Sequence, residues 1–323
     1  MNLVLDSINF KMRLVIPLLF WFLMTGFSNA QSFPEFLVDS SGNGYFSYKN
    51  DIWTVDRSGK KVLILKNRTT RFLAIDPNGT LIGGTDSVSI GTGIKEIYIW
   101  KLYRNGHFEY TYKIPSLPDY TDFCMDEEGH LYWITSGNQI RFQVRNNNGT
   151  IRTLVTCNLT NARNLHRSIK GFLFFSDSNH VYCIPPEDSI KVVMKDVVKR
   201  LPGESTDKSI RNIWTDKSGN IYLATGIEIL KIDRRQYTTP VYRSADGWFP
   251  VNGAISSSGD FWVVEQNRYD SIRIQCIGND IRKGIVKEQR LKLYGLPLGI
   301  TILIVVGLYF LFRKSKNSRS GTE

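Results

Sequence analysis

Ile213-Trp-Thr-Asp-Lys-Ser-Gly-Asn-Ile-Tyr-Leu-Ala-Thr225, followed after three residues by Ile229-Leu-Lys-Ile-Asp233, decides the fold. An apolar strand runs into the turn Asp216-Lys-Ser-Gly219, a second strand leaves it, and a third follows. Such a turn has a mechanical reading: the Asp side chain caps it, and Gly takes a positive φ that other residues resist. The same pattern recurs along the chain. Copies begin at Asp39 (then Tyr45), Asp76 (then Ile82), Asp126 (then Tyr132), Ser168 (then Phe174), Asp216 (then Tyr222) and Ser256 (then Trp262), each with Gly three residues on. Their spacings of 37, 50, 42, 48 and 40 residues make an internal repeat.

Each unit carries a further strand pair. The third strands read Asp51–Asp56, Glu96–Lys101, Gln139–Val144, His180–Ile184, Ile229–Asp233 and Ser271–Cys276. A polar turn such as Arg57-Ser-Gly59 and a short fourth strand such as Lys61–Leu65 complete most units. Four antiparallel strands in about 44 residues is the size of a propeller blade. Phe36–Val38, Phe72–Ile75, Phe123–Met125 and Phe172–Phe175 read as first strands, continuously apolar as expected where stacked sheets bury both faces. No stretch of residues 31–292 sustains a 3.6-residue apolar period over three turns, which argues against an α or α/β fold. The expected fold is all-β: a six-bladed β-propeller over residues 31–281.

The flanking segments suggest an ectodomain with one C-terminal transmembrane helix. Residues 1–30 read as a signal peptide, because Lys11 and Arg13 precede the apolar run Leu14–Phe27 and Ser28-Asn29-Ala30 fits small-residue cleavage. Leu293–Phe312 is free of charge, and its 20 residues at about 1.5 Å each match a hydrocarbon core. Residues 282–292 then form a basic juxtamembrane stem and 313–323 a short cytosolic tail. The expectation is a single-pass type I membrane protein with its propeller extracellular or periplasmic. Of the formal charge of +11, residues 31–281 carry only +3. That leaves no basic stripe for phosphate contacts and argues against a nucleic-acid partner. Cys124, Cys157, Cys183 and Cys276 permit three disulfide pairings, among which their wide spacing does not choose; unpaired cysteines stay open. Asn67, Asn78, Asn148 and Asn158 begin N-glycosylation sequons, which matter only if the host glycosylates.

The stretch from Ile213 to Asp233, together with Leu73-Ala-Ile-Asp-Pro-Asn-Gly-Thr-Leu-Ile-Gly-Gly-Thr85, resembles the repeat of two-component regulator propellers, with the NHL-type repeat a neighbour. The resemblance covers residues 33 to about 288 and implies an extracytoplasmic sensor-like module that recognises a ligand or protein without catalysis and without a cofactor. Residues 313–323 hold no signalling module, which leaves transmission by a partner protein or no transmission at all. The chain is also similar, more weakly, to gluconolactonase (senescence-marker) propellers. That likeness implies a divalent metal held by Glu, Asn and Asp near the starts of inner strands. Seven residues before the turn glycines stand Glu35, Phe72, Asp122, Asn164, Asn212 and Asn252. The five oxygen donors among them would suit Ca²⁺ or Mg²⁺ in a lactonase-type hydrolase. The competing reading is that Asn and Asp here satisfy loop backbone groups.

No Gly-x-Ser-x-Gly, His-Glu-x-x-His or Walker loop occurs, and His107, His130, His166 and His180 are isolated. His107 and His130 each follow a turn glycine and are expected to be exposed. Recognition is assigned to the face opposite the Asp-x-x-Gly turns, where connections vary in length and carry Tyr120, Trp248, Phe249, Arg268 and Tyr269. Trp248, Phe249 and Tyr269 are expected as exposed anchors in polar connections.

Overall fold

The computed structural model describes residues 35–278, apart from residues 69, 89–94, 116–119, 136, 187–188, 202–208 and 246. The segments expected to be a signal peptide, a juxtamembrane stem, a transmembrane helix and a cytosolic tail lie outside the described residues. Among the described residues, no helix is long and apolar enough to cross a membrane.

Six antiparallel sheets follow one another along the chain. The first is β1 (Phe36–Val38), β2 (Gly44–Tyr48), β3 (Asp51–Val55) and β4 (Lys61–Leu65). The second is β5 (Leu73–Ile75), β6 (Leu81–Val88), β7 (Lys95–Leu102) and β8 (Phe108–Pro115). The third is β9 (Tyr120–Met125), β10 (Leu131–Thr135), β11 (Ile140–Arg145) and β12 (Ile151–Cys157). The fourth is β13 (Arg163–Arg167), β14 (Leu173–Ser176), β15 (Val181–Ile184) and β16 (Lys191–Met194), and the fifth is β17 (Asn212–Thr215), β18 (Ile221–Ala224), β19 (Glu228–Ile232) and β20 (Thr238–Arg243). The sixth has three strands among the described residues: β21 (Trp248–Ile255), β22 (Phe261–Asn267) and β23 (Ile272–Cys276). This is a six-bladed propeller.

Each inner turn is closed by a side-chain oxygen as the sequence suggests, and several by more bonds than that cap alone. The Asp216 carboxylate accepts from the Asn220 amide at 2.9 Å, the Asn220 side chain at 2.7 Å and the Tyr222 hydroxyl at 3.1 Å. Asp39 with Tyr45 and Asp126 with Tyr132 repeat the arrangement. At the degenerate copies, the Ser168 and Ser256 hydroxyls accept from the amides of Phe172 and Asp260. Gly219 closes its turn at φ +81°.

Apolar clusters fill the spaces between neighbouring blades. Phe142 and Phe175 meet with ring centroids 4.4 Å apart between the third and fourth sheets, and Phe72 stacks on Phe123 between the second and third. Blade packing leaves no room at Gly253, where a Cβ would lie 2.6 Å from the Trp214 ring and 2.7 Å from the Trp262 carbonyl. The ring closes without strand exchange among the described residues. Instead Phe36 packs on Trp262, Arg57 pairs with Asp260 at 2.9 Å, the Ser257 hydroxyl donates to the Ser40 carbonyl, and the Tyr48 hydroxyl donates to the Asp270 carbonyl.

Three expectations need correction. Phe172–Phe175 follows the Ser168 turn and supplies the second strand of its blade, β14; the first is the polar β13, Arg163–Arg167. Continuous burial is found instead in strands with a neighbour on each side: every residue of the second strands β10, β14 and β18 and of the third strand β15 is buried, whereas β1 and β5 are mostly half-exposed. The cause is position, since the first strand borders the open channel and the second has a strand on each side. Third, Trp248 and Phe249 lie inside β21 and are only half-exposed. The four cysteines are all unpaired.

Tyr222→Phe removes one donor from a partly buried carboxylate and is expected to cost about 1 kcal/mol in denaturant unfolding. Gly253→Ala, forced against a backbone carbonyl, is expected to cost about 1–3 kcal/mol. Equal stability of Gly253→Ala and wild type would contradict the blade packing described.

Candidate functional site

The inner strands surround a central cavity of about 290 Å³, whose lining includes Glu35, His166, Asn212, Trp214, Thr215 and Asn252. Glu35 stands immediately before β1, with its amide donating to the Ser47 hydroxyl at 3.3 Å. Asn212 opens β17, and Asn252 lies within β21. Strand pairing slips where several of these residues stand. Register shifts fall between Ile134 and Thr135 opposite β9, between Arg163 and His166 in β13, and between Pro250 and Asn252 in β21. Asn164, inside the second of these irregularities, takes φ +59°. Bulges re-aim side chains at strand ends, and here they sit at the channel.

Most of the candidate oxygens are already engaged. Asp122 Oδ1 accepts from the Phe123 amide at 2.8 Å, Asn212 Oδ1 from the Ile213 amide at 2.6 Å and Asn252 Oδ1 from the Gly253 amide at 2.7 Å. The second Asp122 oxygen accepts from the Leu165 amide of the next blade at 2.8 Å. Asn164 points its amide nitrogen at the Ser176 hydroxyl, 2.8 Å, and the Ile210 carbonyl, 3.2 Å. Phe72 is buried in the core beside Phe123.

Burial, then the nearby Asp122 charge, raises the Glu35 pKa to about 8, so its carboxyl is largely protonated at neutral pH. Burial also lifts Asp122, to about 6, against the lowering effect of amide bonds from Leu165, Phe123 and Asn164. His166 was not singled out by its sequence context. Its ring is half-buried against the cavity, its Nε2 lies 2.9 Å from the Thr215 hydroxyl of the next blade, and desolvation depresses its pKa to about 4. It is therefore a neutral imidazole. The signal that it lines the cavity was the Ser168 turn two residues on, which fixes Arg163–Arg167 as an inner strand.

On the face opposite the Asp-x-x-Gly turns, Tyr269 is 74% exposed with the Arg268 guanidinium 5.4 Å above its ring. Next to it across the seam is Tyr48, whose hydroxyl reaches Asp270 at 2.6 Å. Trp248 is covered on one side by the Arg273 guanidinium, 4.5 Å from its ring, and Arg273 is itself held by buried Glu265 at 2.6 Å. Tyr120 opens β9 opposite Thr135. On the turn face, ligand atoms of Asp126, Glu128 and His130 lie within 4.8 Å of one another. Both Asp126 oxygens there are taken by the turn amides and by Tyr132 and His130, so this cluster reads as a cap. His130 is thus mostly covered, against expectation, whereas the His107 side chain is 62% exposed.

No family model matches this sequence, and no curated protein matches it at a significant level. Solved structures do. A gluconolactonase from Xanthomonas campestris matches with TM-score 0.55 at 10% identity, over 76% of this chain and 86% of that one. The calcium-binding protein regucalcin from Agrobacterium tumefaciens matches with TM-score 0.54 at 13% identity, over 78% and 85%. The extracellular domain assigned to a hybrid two-component system of B. thetaiotaomicron matches with TM-score 0.46 at 17% identity, over 75% of this chain and 33% of that one. At such identities the likeness is one of fold alone.

The raised carboxyls set a pH dependence. Glu35 and Asp122 bind their protons more tightly folded than unfolded, so their contribution is full below the ordinary values of 4.5 and 3.8 and is lost as pH rises toward about 8 and 6. Glu35→Gln is therefore expected to raise the melting temperature at about pH 8, with the gain vanishing near about pH 4. A pH-independent difference would mean that Glu35 is not the buried acid described.

Proposed function

We propose that this protein is a membrane-anchored, extracytoplasmic propeller that recognises a ligand or protein without catalysing a reaction on it. The observation carrying this reading is the state of the channel oxygens. Those of Asp122, Asn212 and Asn252 accept backbone amides, and Glu35 keeps its proton, which leaves no ready-made set of anionic ligands. A rigid ring with short turns on one face and longer aromatic- and Arg-bearing connections on the other suits recognition. The anchored topology rests on the apolar segments at the two ends of the sequence.

A second reading, a metal-dependent lactonase-type hydrolase, draws support from Glu35, Asn212 and Asn252 lining one cavity with Asp122 close enough to act on Glu35. In it Ca²⁺ or Mg²⁺ would polarise a carbonyl and activate water. Melting the protein with each ion alone separates the two. Recognition predicts no ion-specific rise, whereas a site saturated about a hundredfold above its Kd would add about 2.7 kcal/mol. A stoichiometric rise abolished by Glu35→Gln would overturn the recognition reading.

Topology and contact surface are tested separately. Protease added outside intact cells is expected to digest the propeller and spare a tag after Glu323. Once a binding partner is in hand, Tyr269→Ala is expected to weaken binding by about 1 kcal/mol or more without lowering the melting temperature. Trp248→Ala is expected to destabilise the blade as well, because Trp248 packs under Arg273.

A further inference from the structure

One strip of surface carries cations without counter-ions, and it crosses three blades. On the sixth, the tip of the β22–β23 hairpin exposes Arg268 and Tyr269, the guanidinium 5.4 Å from the ring centroid. On the first, the Tyr48 hydroxyl donates to the Asp270 carbonyl of that tip at 2.6 Å, and Lys49 Nζ lies 5.2 Å from the Tyr48 ring. The next connection is tied to the β2–β3 tip: the Arg68 amide donates to the Asn50 carbonyl, and the Asn67 amide to Asp51 Oδ1 at 2.9 Å. From there the Arg68 side chain reaches the second blade. Its guanidinium lies 5.2 Å from the Phe108 ring and 5.7 Å from that of Tyr110, which is 48% exposed on the outer strand β8.

Two features set this strip apart. Among the described residues Arg268, Lys49 and Arg68 form no ion pair, whereas Arg57, Arg71, Arg243 and Arg273 are each held by a carboxylate. The carboxylates on the same two hairpin tips are turned elsewhere, Asp51 to the Asn67 amide and Asp270 to the Gln266 side chain. Arg68 is half-buried, and its Nε is buried without a hydrogen-bond partner. Such a charge is neither fully hydrated nor neutralised. The second feature is backbone cost. Lys49 takes φ +49° and Asn50 φ +65° in a two-residue hairpin turn that Asn-Gly fills without strain. A lysine held in the left-handed region costs free energy, and strain of that kind collects where a side chain is used.

We propose that this strip docks a partner protein through an acidic segment, whose carboxylates pair with Arg268, Lys49 and Arg68 while Tyr269 and Tyr110 supply apolar contact. The proposal rests on the recognition reading and names the chemistry of the partner. Charge complementarity selects the occupant. A neutral surface laid over Arg68 would bury an unpaired cation, whereas a carboxylate there completes a charge-assisted pair with a guanidinium already oriented by two rings. Tyrosine and arginine are also the side chains in which protein interfaces concentrate their binding energy. Other polyanions fit less well. Flat bases bind through open aromatic faces. Here each tyrosine already has a cation over one face, and Tyr110 meets Tyr98 and Phe108 edge-on as well.

The test measures binding of poly-L-glutamate to the full chain in nonionic detergent at low salt, with an oligothymidylate and polygalacturonate as the competing polyanions. Saturable binding of poly-L-glutamate is expected, weakened about tenfold in Arg68→Gln, whose pair would be partly desolvated, and about threefold in Arg268→Gln and in Lys49→Gln, whose pairs stay exposed. Arg235→Gln, an exposed cation on the Asp-x-x-Gly face, is expected to bind as wild type does. Equal weakening in Arg235→Gln would reduce the effect to net charge and overturn the assignment. Tighter binding of either competitor, lost in the same variants, would assign the strip to nucleic acid or to an acidic glycan instead. Arg68→Gln loses ring contacts too, so its melting temperature is measured alongside. If it unfolds, Arg268→Gln and Lys49→Gln decide, and no loss in either overturns the proposal. Absence of saturable binding would also overturn the acidic partner but not recognition itself, which melting with Ca²⁺ or Mg²⁺ tests separately.

Discussion

One bond repeated around the ring organises this molecule: a side-chain oxygen at the first position of each inner turn accepts the backbone amide four residues on. It fixes the length of the turn and so the register of the first strand against the second. Where the oxygen belongs to Asp39, Asp126 or Asp216, a tyrosine hydroxyl six residues on also donates to it, so the second strand is tied to the turn through its side chain as well. Burial alone would raise the Asp216 pKa, but the bonds from Asn220 and Tyr222 outweigh it and hold the carboxylate below its ordinary value. A partly buried charge is thereby made part of the frame. Ser168 and Ser256 do the same work without a charge, which is why copies lacking Asp still turn at the right place.

Because this bond spans so few residues, it is readable in the sequence, and the blade count with it. Capping oxygen, Gly and an aromatic or apolar residue at fixed offsets recur through Asp39, Asp76, Asp126, Ser168, Asp216 and Ser256. What was misread depends on neighbours in space. Phe172–Phe175 is as apolar as an inner strand, yet it follows its turn; apolarity marks burial on two sides, which second strands have and channel-lining strands lack. Trp248 and Phe249 sit among polar residues and looked like a connection. Pairing with Asn267 and Gln266 makes them part of β21, and the Arg273 guanidinium, held by Glu265, covers the Trp248 ring.

The channel was legible only as a set of positions. Counting back from the turn glycines brings Glu35, Asn212 and Asn252 to one cavity, but the count carries no information about bulges. Asn164 falls within one, and its side chain turns to Ser176 and Ile210. His166, an isolated histidine, has no local signature in the sequence; its place beside Thr215 comes from the packing of two blades. A residue's offset from a turn fixes its height along the channel, while the local register irregularity fixes where it points.

That distinction bears on which channel chemistry is physically affordable. To ligate a divalent ion, Glu35 would first lose a proton held up to about pH 8, at a cost of about 1.4 kcal/mol at pH 7. The Asp122, Asn212 and Asn252 oxygens would each share or surrender an amide bond of about 1 kcal/mol. Any affinity for an ion here is net of these costs. An uncharged ligand avoids both costs. It would find a protonated carboxyl, a neutral imidazole and amide groups in a cavity of about 290 Å³, without disturbing the bonds that hold the inner strands in register.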